Sequence, residues 1–179
     1  MKPASARLLE SILASILVSI LALALLLLAG PLLAEDWAEL DAGIRASETV
    51  LVGGQPSEEL LREAADAGYE VVVDFRSEAE DPGYDEAAVA AEQGLAYFRV
   101  PVAGASGLTK ENVLLFDAVQ RQVGDRRALM HCASGNRVGA IHALHGARFK
   151  DMSPEEAVAY GRQYGLTDLE GAVRERLEE

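Results

Sequence analysis

Cysteine is almost missing from this 179-residue sequence, since Cys132 is the only one. A disulfide within the chain is therefore excluded. Histidine is nearly as scarce, and two of the three histidines, His142 and His145, stand three residues apart on one predicted helix. Zinc sites usually need three or four ligands, and the sequence offers this pair no evident third ligand. We therefore expect no metal and no cofactor.

Basic residues are also in short supply, with 16 Lys and Arg against 29 Asp and Glu. Such an acidic surface repels nucleic acid and anionic lipid, so we expect no nucleic-acid partner. Any site for a small anion must then depend on local backbone dipoles and on one or two arginines.

Charge is missing altogether from residues 11–34, a run of 24 residues rich in Leu, Ile, Val and Ala that follows Lys2 and Arg7. A helix of about 20 such residues spans a bilayer. The run predicts an N-terminal hydrophobic helix at residues 1–34, with an uncleaved membrane anchor slightly favoured over a signal peptide, whose apolar region is usually shorter. The positive charges before the run predict in both cases an extracytoplasmic (periplasmic) domain, membrane-anchored or secreted.

Beyond this segment, residues 35–49 are expected to form a charged connector with helical tendency, followed by a single domain at residues 50–179. Short apolar runs alternate there with helical stretches, which predicts an α/β fold with a mostly parallel sheet flanked by helices. The predicted strands are 50–52, 70–75, 96–100 and 127–131. The predicted helices are 57–67, 84–93, 109–123, 138–149, 153–164 and 167–177.

The candidate site is the segment His131-Cys132-Ala133-Ser134-Gly135-Asn136-Arg137, which joins the last predicted strand to a helix. Ligands bind at the carboxyl ends of strands in such folds. The backbone N–H groups of residues 133–137 can converge on one anion there, and the positive end of a helix stabilises a thiolate. The guanidinium of Arg137 suits two oxygens of an oxyanion. The plainer alternative makes Cys132 a small buried residue at a strand end.

This His-Cys start, Gly-containing loop and Arg resemble the signature of the cysteine-dependent phosphatase superfamily, and Gly139 also fits it. Further matching segments make residues 50–147 similar to the dual-specificity-phosphatase-like domain of beta-lactamase-hydrolase-like proteins. The resemblance implies a cysteine-phosphatase-like fold in which Cys132 attacks phosphorus, Arg137 holds the phosphoryl oxygens, and Ala133, Ser134, Gly135 and Asn136 bind the substrate. The matching segments are Gly53-Gly54-Gln55-Pro56-Ser57, Val71-Val72-Val73-Asp74-Phe75-Arg76 with Glu78, and Gly94-Leu95-Ala96-Tyr97 leading to Val100-Pro101-Val102.

Three departures from that signature keep alternatives open. Four residues separate Cys132 from Arg137 where the phosphatases have five, and Val138 replaces the usual Ser or Thr. Residues 101–108, where phosphatases carry a general acid, contain no carboxylate. Asp74 and Glu78 are the candidates to replace that acid, although structural pairing with Arg76 or Arg99 is favoured.

The short loop is also similar to that of rhodanese-like sulfurtransferases, which would form a persulfide on Cys132. A non-catalytic module that binds an anion is a further alternative. We expect phosphate-ester hydrolysis ahead of both, with a small anionic group, either a phosphate ester or a sulfane sulfur donor, as the partner.

Overall fold

The computed structural model of the protein describes residues 43–179. The predicted N-terminal hydrophobic helix and residues 35–42 of the predicted connector lie outside these residues. Among the described residues, no helix combines the length and the apolar character that crossing a membrane requires.

A five-stranded sheet forms the centre of the fold. Its strands are β1 (Gly43–Arg45), β2 (Val50–Gly53), β3 (Val71–Asp74), β4 (Ala96–Arg99) and β5 (Ala128–His131). The strands lie in the order β1-β2-β5-β3-β4, and every neighbouring pair is parallel except β1 with β2. All residues of β2, β3 and β5 are buried, as expected for parallel strands covered on both faces. The predicted mostly parallel sheet is confirmed.

Within residues 43–179, six helices flank the sheet, namely α1 (Glu58–Asp66), α2 (Glu86–Glu92), α3 (Lys110–Val123), α4 (Asn136–Phe149), α5 (Pro154–Gln163) and α6 (Glu170–Leu177). Side chains cap four of them as N-cap residues: Ser57, Asp85, Thr109 and Ser153. Three predicted starts are wrong. Helices α2 and α6 begin two and three residues later than expected, and α4 begins two residues earlier.

The helical tendency expected of the connector is not found at residues 43–45, which form the edge strand β1. The turn that follows is closed by Ser47, whose hydroxyl accepts hydrogen bonds from the N–H groups of Thr49 and Val50 at 3.3 and 3.1 Å. This short antiparallel hairpin covers one edge of β2.

Helix α4 packs against the rest of the domain at Gly139. A Cβ atom at this position would lie 2.1 Å from the backbone N of Leu166 and 2.6 Å from the carbonyl O of Gly161. The close approach of α5 and the following turn therefore requires glycine here. The close contact at Gly139 fixes α4, whose N-terminus faces the candidate site.

Candidate active site

Cys132 directly follows β5 and lies beneath a tight loop. Gly135, at φ 86°, adopts the left-handed conformation that turns the chain into α4. Its backbone N–H donates to Cys132 Sγ at 3.0 Å, and the N–H of Ser134 donates to the same sulfur at 3.4 Å. The cysteine side chain is almost fully buried. Two amides thus already point at the atom that would carry a negative charge as a thiolate.

The other loop residues bring further amides to this position. Asn136 and Arg137 form the first turn of α4, where backbone N–H groups lack partners within the helix and carry its positive partial charge. The Asn136 side chain is directed elsewhere, because its Oδ1 accepts from the N–H groups of Thr167 and Leu169 at 2.9 and 3.4 Å. Ala133 and Ser134 are exposed. Asn136 can therefore contribute to anion binding through its backbone only.

The segment after β2 contacts the loop that follows Cys132. Gly54 forms an isolated antiparallel bridge with Ser134. A Cβ atom on Gly54 would lie 3.0 Å from the carbonyl O of Ala133. This contact explains why a glycine follows β2 at position 54.

Arg137 is held at the same site by two different segments. Its Nη1 and Nη2 donate to Oε1 and Oε2 of Glu80 at 2.5 and 2.7 Å, and Nη1 also donates to the carbonyl O of Val102 at 2.9 Å. The hydrogen bond with Glu80 raises the pKa of Arg137, and the neighbouring Cys132 raises it further. A permanently charged fork is therefore oriented beside the sulfur.

Glu80 is the site residue that the sequence did not reveal. It lies between β3 and α2, where the N–H and Oγ of Ser77 donate to its Oε1 at 2.8 and 2.9 Å. The Ser-x-x-Glu spacing is a recognisable local pattern and indicates this turn. It gives no sign of the contact with Arg137, which is 57 positions away in the chain.

Residues 101–108 form a fixed turn beside Arg137. Residues Gly104–Gly107 make a short 3-10 turn, and Nδ2 of Asn112 donates to the carbonyl O atoms of Pro101 and Gly107 at 2.8 and 2.9 Å. The turn supplies the Val102 carbonyl to Arg137 but no carboxylate.

A buried ionic cluster lies under the candidate site. Asp74 accepts hydrogen bonds from Arg76 Nε at 2.9 Å, from Tyr97 Oη at 2.8 Å and from Arg99 Nε at 3.1 Å. Burial alone would raise the pKa of Asp74, but the bonds from Arg76 and its other partners lower it. The structural pairing expected for Asp74 is confirmed.

His131 joins this cluster, with its Nε2 2.7 Å from Oε1 of Glu86. Asp74, Glu86 and His131 place three potential ligand atoms within 4.8 Å of one another. The Arg76 guanidinium already binds both carboxylates, however, and a metal cation would have to displace that charge. We assign these residues to positioning β5 and the cysteine that follows it.

The histidine pair on α4 belongs to the hydrophobic core. His142 stacks on Tyr164 with 3.8 Å between ring centroids, and its Nδ1 lies 2.8 Å from the carbonyl O of Val138. His145 Nε2 contacts Oδ1 of Asp117 at 3.0 Å. Burial lowers the pKa of His142 to about 3, and it also lowers that of His145. Val138 is itself completely buried.

Comparisons with a family model and with curated proteins both find similar proteins for this chain. Residues 35–171 match the model of the family described as DSP-PTPase phosphatase fused to NAD+ kinase. The beta-lactamase hydrolase-like proteins of two Xylella fastidiosa strains are 34% identical over 133 residues, which is 71% of this chain and 30% of each relative. The chain thus spans about a third of the length of these curated relatives. The resemblance inferred from the sequence is confirmed.

Solved structures share the fold. A DUF442 protein of Shewanella putrefaciens has a TM-score of 0.57 at 20% identity, covering 76% of this chain and 93% of its own. Tk-PTP in its active form has a TM-score of 0.56 at 20% identity, covering 78% of this chain and 97% of its own. At these identities the likeness establishes a phosphatase-like fold for the described domain.

Proposed function

The chain belongs to the family of DSP-PTPase phosphatases fused to NAD+ kinase, and from this membership we propose that it hydrolyses phosphate monoesters through a cysteine thiolate. One observation carries the proposal. The amides of Ser134 and Gly135 converge on Cys132 Sγ, while Arg137 stands in the first turn of the same helix. The site therefore brings together a nucleophilic sulfur, backbone hydrogen-bond donors and the guanidinium of Arg137.

The reaction follows from these positions. The Cys132 thiolate attacks phosphorus, an S–P bond forms, and the P–O bond to the leaving group breaks as that oxygen gains a proton. Arg137 and the loop amides stabilise the three non-bridging oxygens during transfer. Water then attacks the phosphocysteine, which releases inorganic phosphate and restores the thiolate.

The two alternatives raised by the sequence receive less support. Sulfur transfer and non-catalytic anion binding were suggested by the short loop, by Val138 and by the absence of a carboxylate in residues 101–108. The family that the chain matches is described as a phosphatase family, which supports phosphate-ester chemistry over both alternatives. The partner we propose is accordingly a small phosphate ester.

The proposal is tested by hydrolysis of an activated aryl phosphate by the full chain. We expect phosphate release that disappears in Cys132→Ser, while binding of inorganic phosphate to that variant persists. Incubation with thiosulfate should add no sulfur to Cys132. Addition of one sulfur atom without phosphate release would contradict the proposal, and so would phosphate binding by the unchanged chain without turnover of any ester.

We propose further that residues 11–34 anchor the domain outside the cytoplasm. The support is the uncharged run and the positive charges before it. An alkaline phosphatase reporter fused after residue 179, which is active only when exported, should show activity. Mass spectrometry of the membrane fraction should find residues 1–34 still attached. An inactive reporter in a stably expressed fusion would contradict the export of the domain.

A further inference from the structure

The proposed phosphatase reaction lacks an evident proton donor. An unactivated ester needs a proton on its leaving oxygen, and residues 101–108 contain no carboxylate to provide it. Asp74 is completely buried and bound by Arg76. Glu78 lines a cavity to which none of residues 132–137 contributes. Neither acid suggested by the sequence therefore reaches the anion site.

A second cavity, of about 490 Å³, opens above the loop at Ser134, Asn136 and Arg137. Glu80 contributes the only carboxylate among the described residues that line it. The side chain of Glu80 is 34% exposed, so it reaches this open space as well as the guanidinium. A leaving group departing from a phosphoryl group on Arg137 would enter this space.

Two contacts hold Glu80 at the rim. Ser77 binds one carboxylate oxygen through its N–H and hydroxyl, and Arg137 binds both oxygens. Glu80 and the Val102 carbonyl together take both N–H groups of Arg137 Nη1 and one N–H of Nη2. An incoming phosphate dianion must compete with Glu80 for this face of Arg137. Substrate binding and movement of the Glu80 carboxylate are thus coupled.

The charge of Glu80 depends on the same contact. The hydrogen bond from Arg137 is the largest cause that lowers the pKa of Glu80 to about 2, so Glu80 is a carboxylate while Arg137 binds it. A phosphate dianion on Arg137 removes this stabilisation and adds negative charge nearby, which raises the affinity of Glu80 for a proton. Glu78 and Asp81 on the same loop act in the same direction, and the remaining lining residues of the cavity are uncharged.

We propose that Glu80 is the general acid of the proposed phosphatase reaction. As the S–P bond forms and the P–O bond breaks, the proton on the Glu80 carboxyl passes to the leaving oxygen, which departs as a neutral alcohol. The Glu80 carboxylate then takes a proton from the water that attacks phosphocysteine. Glu80 takes up its first proton from bulk water when the phosphate dianion binds. One proton returns to bulk water when inorganic phosphate leaves and Arg137 binds the carboxylate again, so Cys132 and Glu80 return to their starting states.

The test compares Glu80→Gln with the unchanged full chain on two esters. Phenyl phosphate has a poor leaving group, a phenol of pKa about 10, whereas an activated aryl phosphate needs little protonation. We expect kcat/KM for phenyl phosphate to fall about 100-fold to 10,000-fold in Glu80→Gln. For the activated ester the fall should be less than about 10-fold, because acid catalysis contributes little there.

Glu78→Gln is the matched control, since it removes the same charge two residues away and should leave the ratio between the esters unchanged. A fall in Glu80→Gln that is equal for both esters would show that Glu80 only positions Arg137, and would overturn the inference. Unchanged activity on both would overturn it as well. If the unchanged chain shows no Cys132-dependent hydrolysis of either ester, the phosphatase proposal itself fails and this inference fails with it.

Discussion

At the scale of single residues, the geometry of Arg137 matters more than its charge. Its two terminal nitrogens donate to separate oxygens, an arrangement that a lysine ammonium cannot reproduce. We predict that Arg137→Lys lowers kcat/KM for an activated aryl phosphate about 100-fold, because the fork on the phosphoryl oxygens is lost. Arg148→Lys, on the same helix but away from the loop, should stay within about 3-fold. A similar rate for both variants would contradict the role given to Arg137.

His142 gives a second prediction at this scale, on stability. Its pKa is lowered to about 3 in the folded protein, whereas an unfolded chain titrates histidine near 6.5. The unfolded state therefore binds more protons between these values, so the stabilisation is complete above about pH 6.5 and is lost as the pH falls toward 3.

The comparison variant is His142→Phe, which retains the stacking on Tyr164. Between pH 7 and pH 5 we expect the unchanged chain to lose roughly 1 to 2 kcal/mol more of its free energy of unfolding than the variant, measured by urea denaturation. The lowered pKa of His145 makes the free energy of unfolding of both proteins fall with pH in the same direction, so its effect cancels in the difference between them. Equal pH dependence would show that the pKa of His142 is the same in the folded and the unfolded protein.

The sequence identified some of these residues for physical reasons and missed others. Cys132, Gly135 and Arg137 are contiguous, so their joint presence at a strand-to-helix junction is visible in the sequence. Asn136 was assigned to the site through its backbone N–H, and nothing in the sequence indicates that its side chain binds the turn before α6. Glu80 was missed because its role depends on a contact between distant segments.

At the scale of elements, α4 is fixed by the close contact at Gly139. We predict that Gly139→Ala destabilises the protein by about 2 to 4 kcal/mol, because the new methyl group meets backbone atoms of Gly161 and Leu166 that cannot move independently. Gly171→Ala in α6 is the control, since a Cβ there has no heavy atom within 4 Å and alanine favours helix. Thermal unfolding that ranks the two variants in the opposite order would contradict this packing.

The sequence predicted the longer elements well because each has a local cause. Buried strands appear as apolar runs, and the helices α1, α3 and α5 start at Ser57, Thr109 and Ser153. Strand β1 was missed because it is three exposed residues long and exists only through its pairing with β2. Pairing between strands is a tertiary contact and leaves no periodicity in so short a segment.

At the scale of the whole molecule, an anion site lies on a strongly acidic protein. The sequence carries a formal net charge of −13 at pH 7, and that charge repels an anionic ester before it reaches the loop. We predict that kcat/KM for a phosphate ester rises about 2-fold to 10-fold as KCl increases from about 0.01 to 0.15 M, because salt screens this repulsion. A fall with salt would show that the local field of Arg137 and the α4 N-terminus dominates the approach.

The most direct test of thiolate chemistry on phosphorus is mass spectrometry of the full chain, quenched in acid during turnover of an aryl phosphate. A phosphoryl group on the peptide that contains Cys132, absent from Cys132→Ser and from Cys132→Ala, is the predicted result. Two results would contradict the proposed mechanism. One is steady phosphate release while Cys132 never carries phosphorus, and the other is phosphate release that persists in both variants.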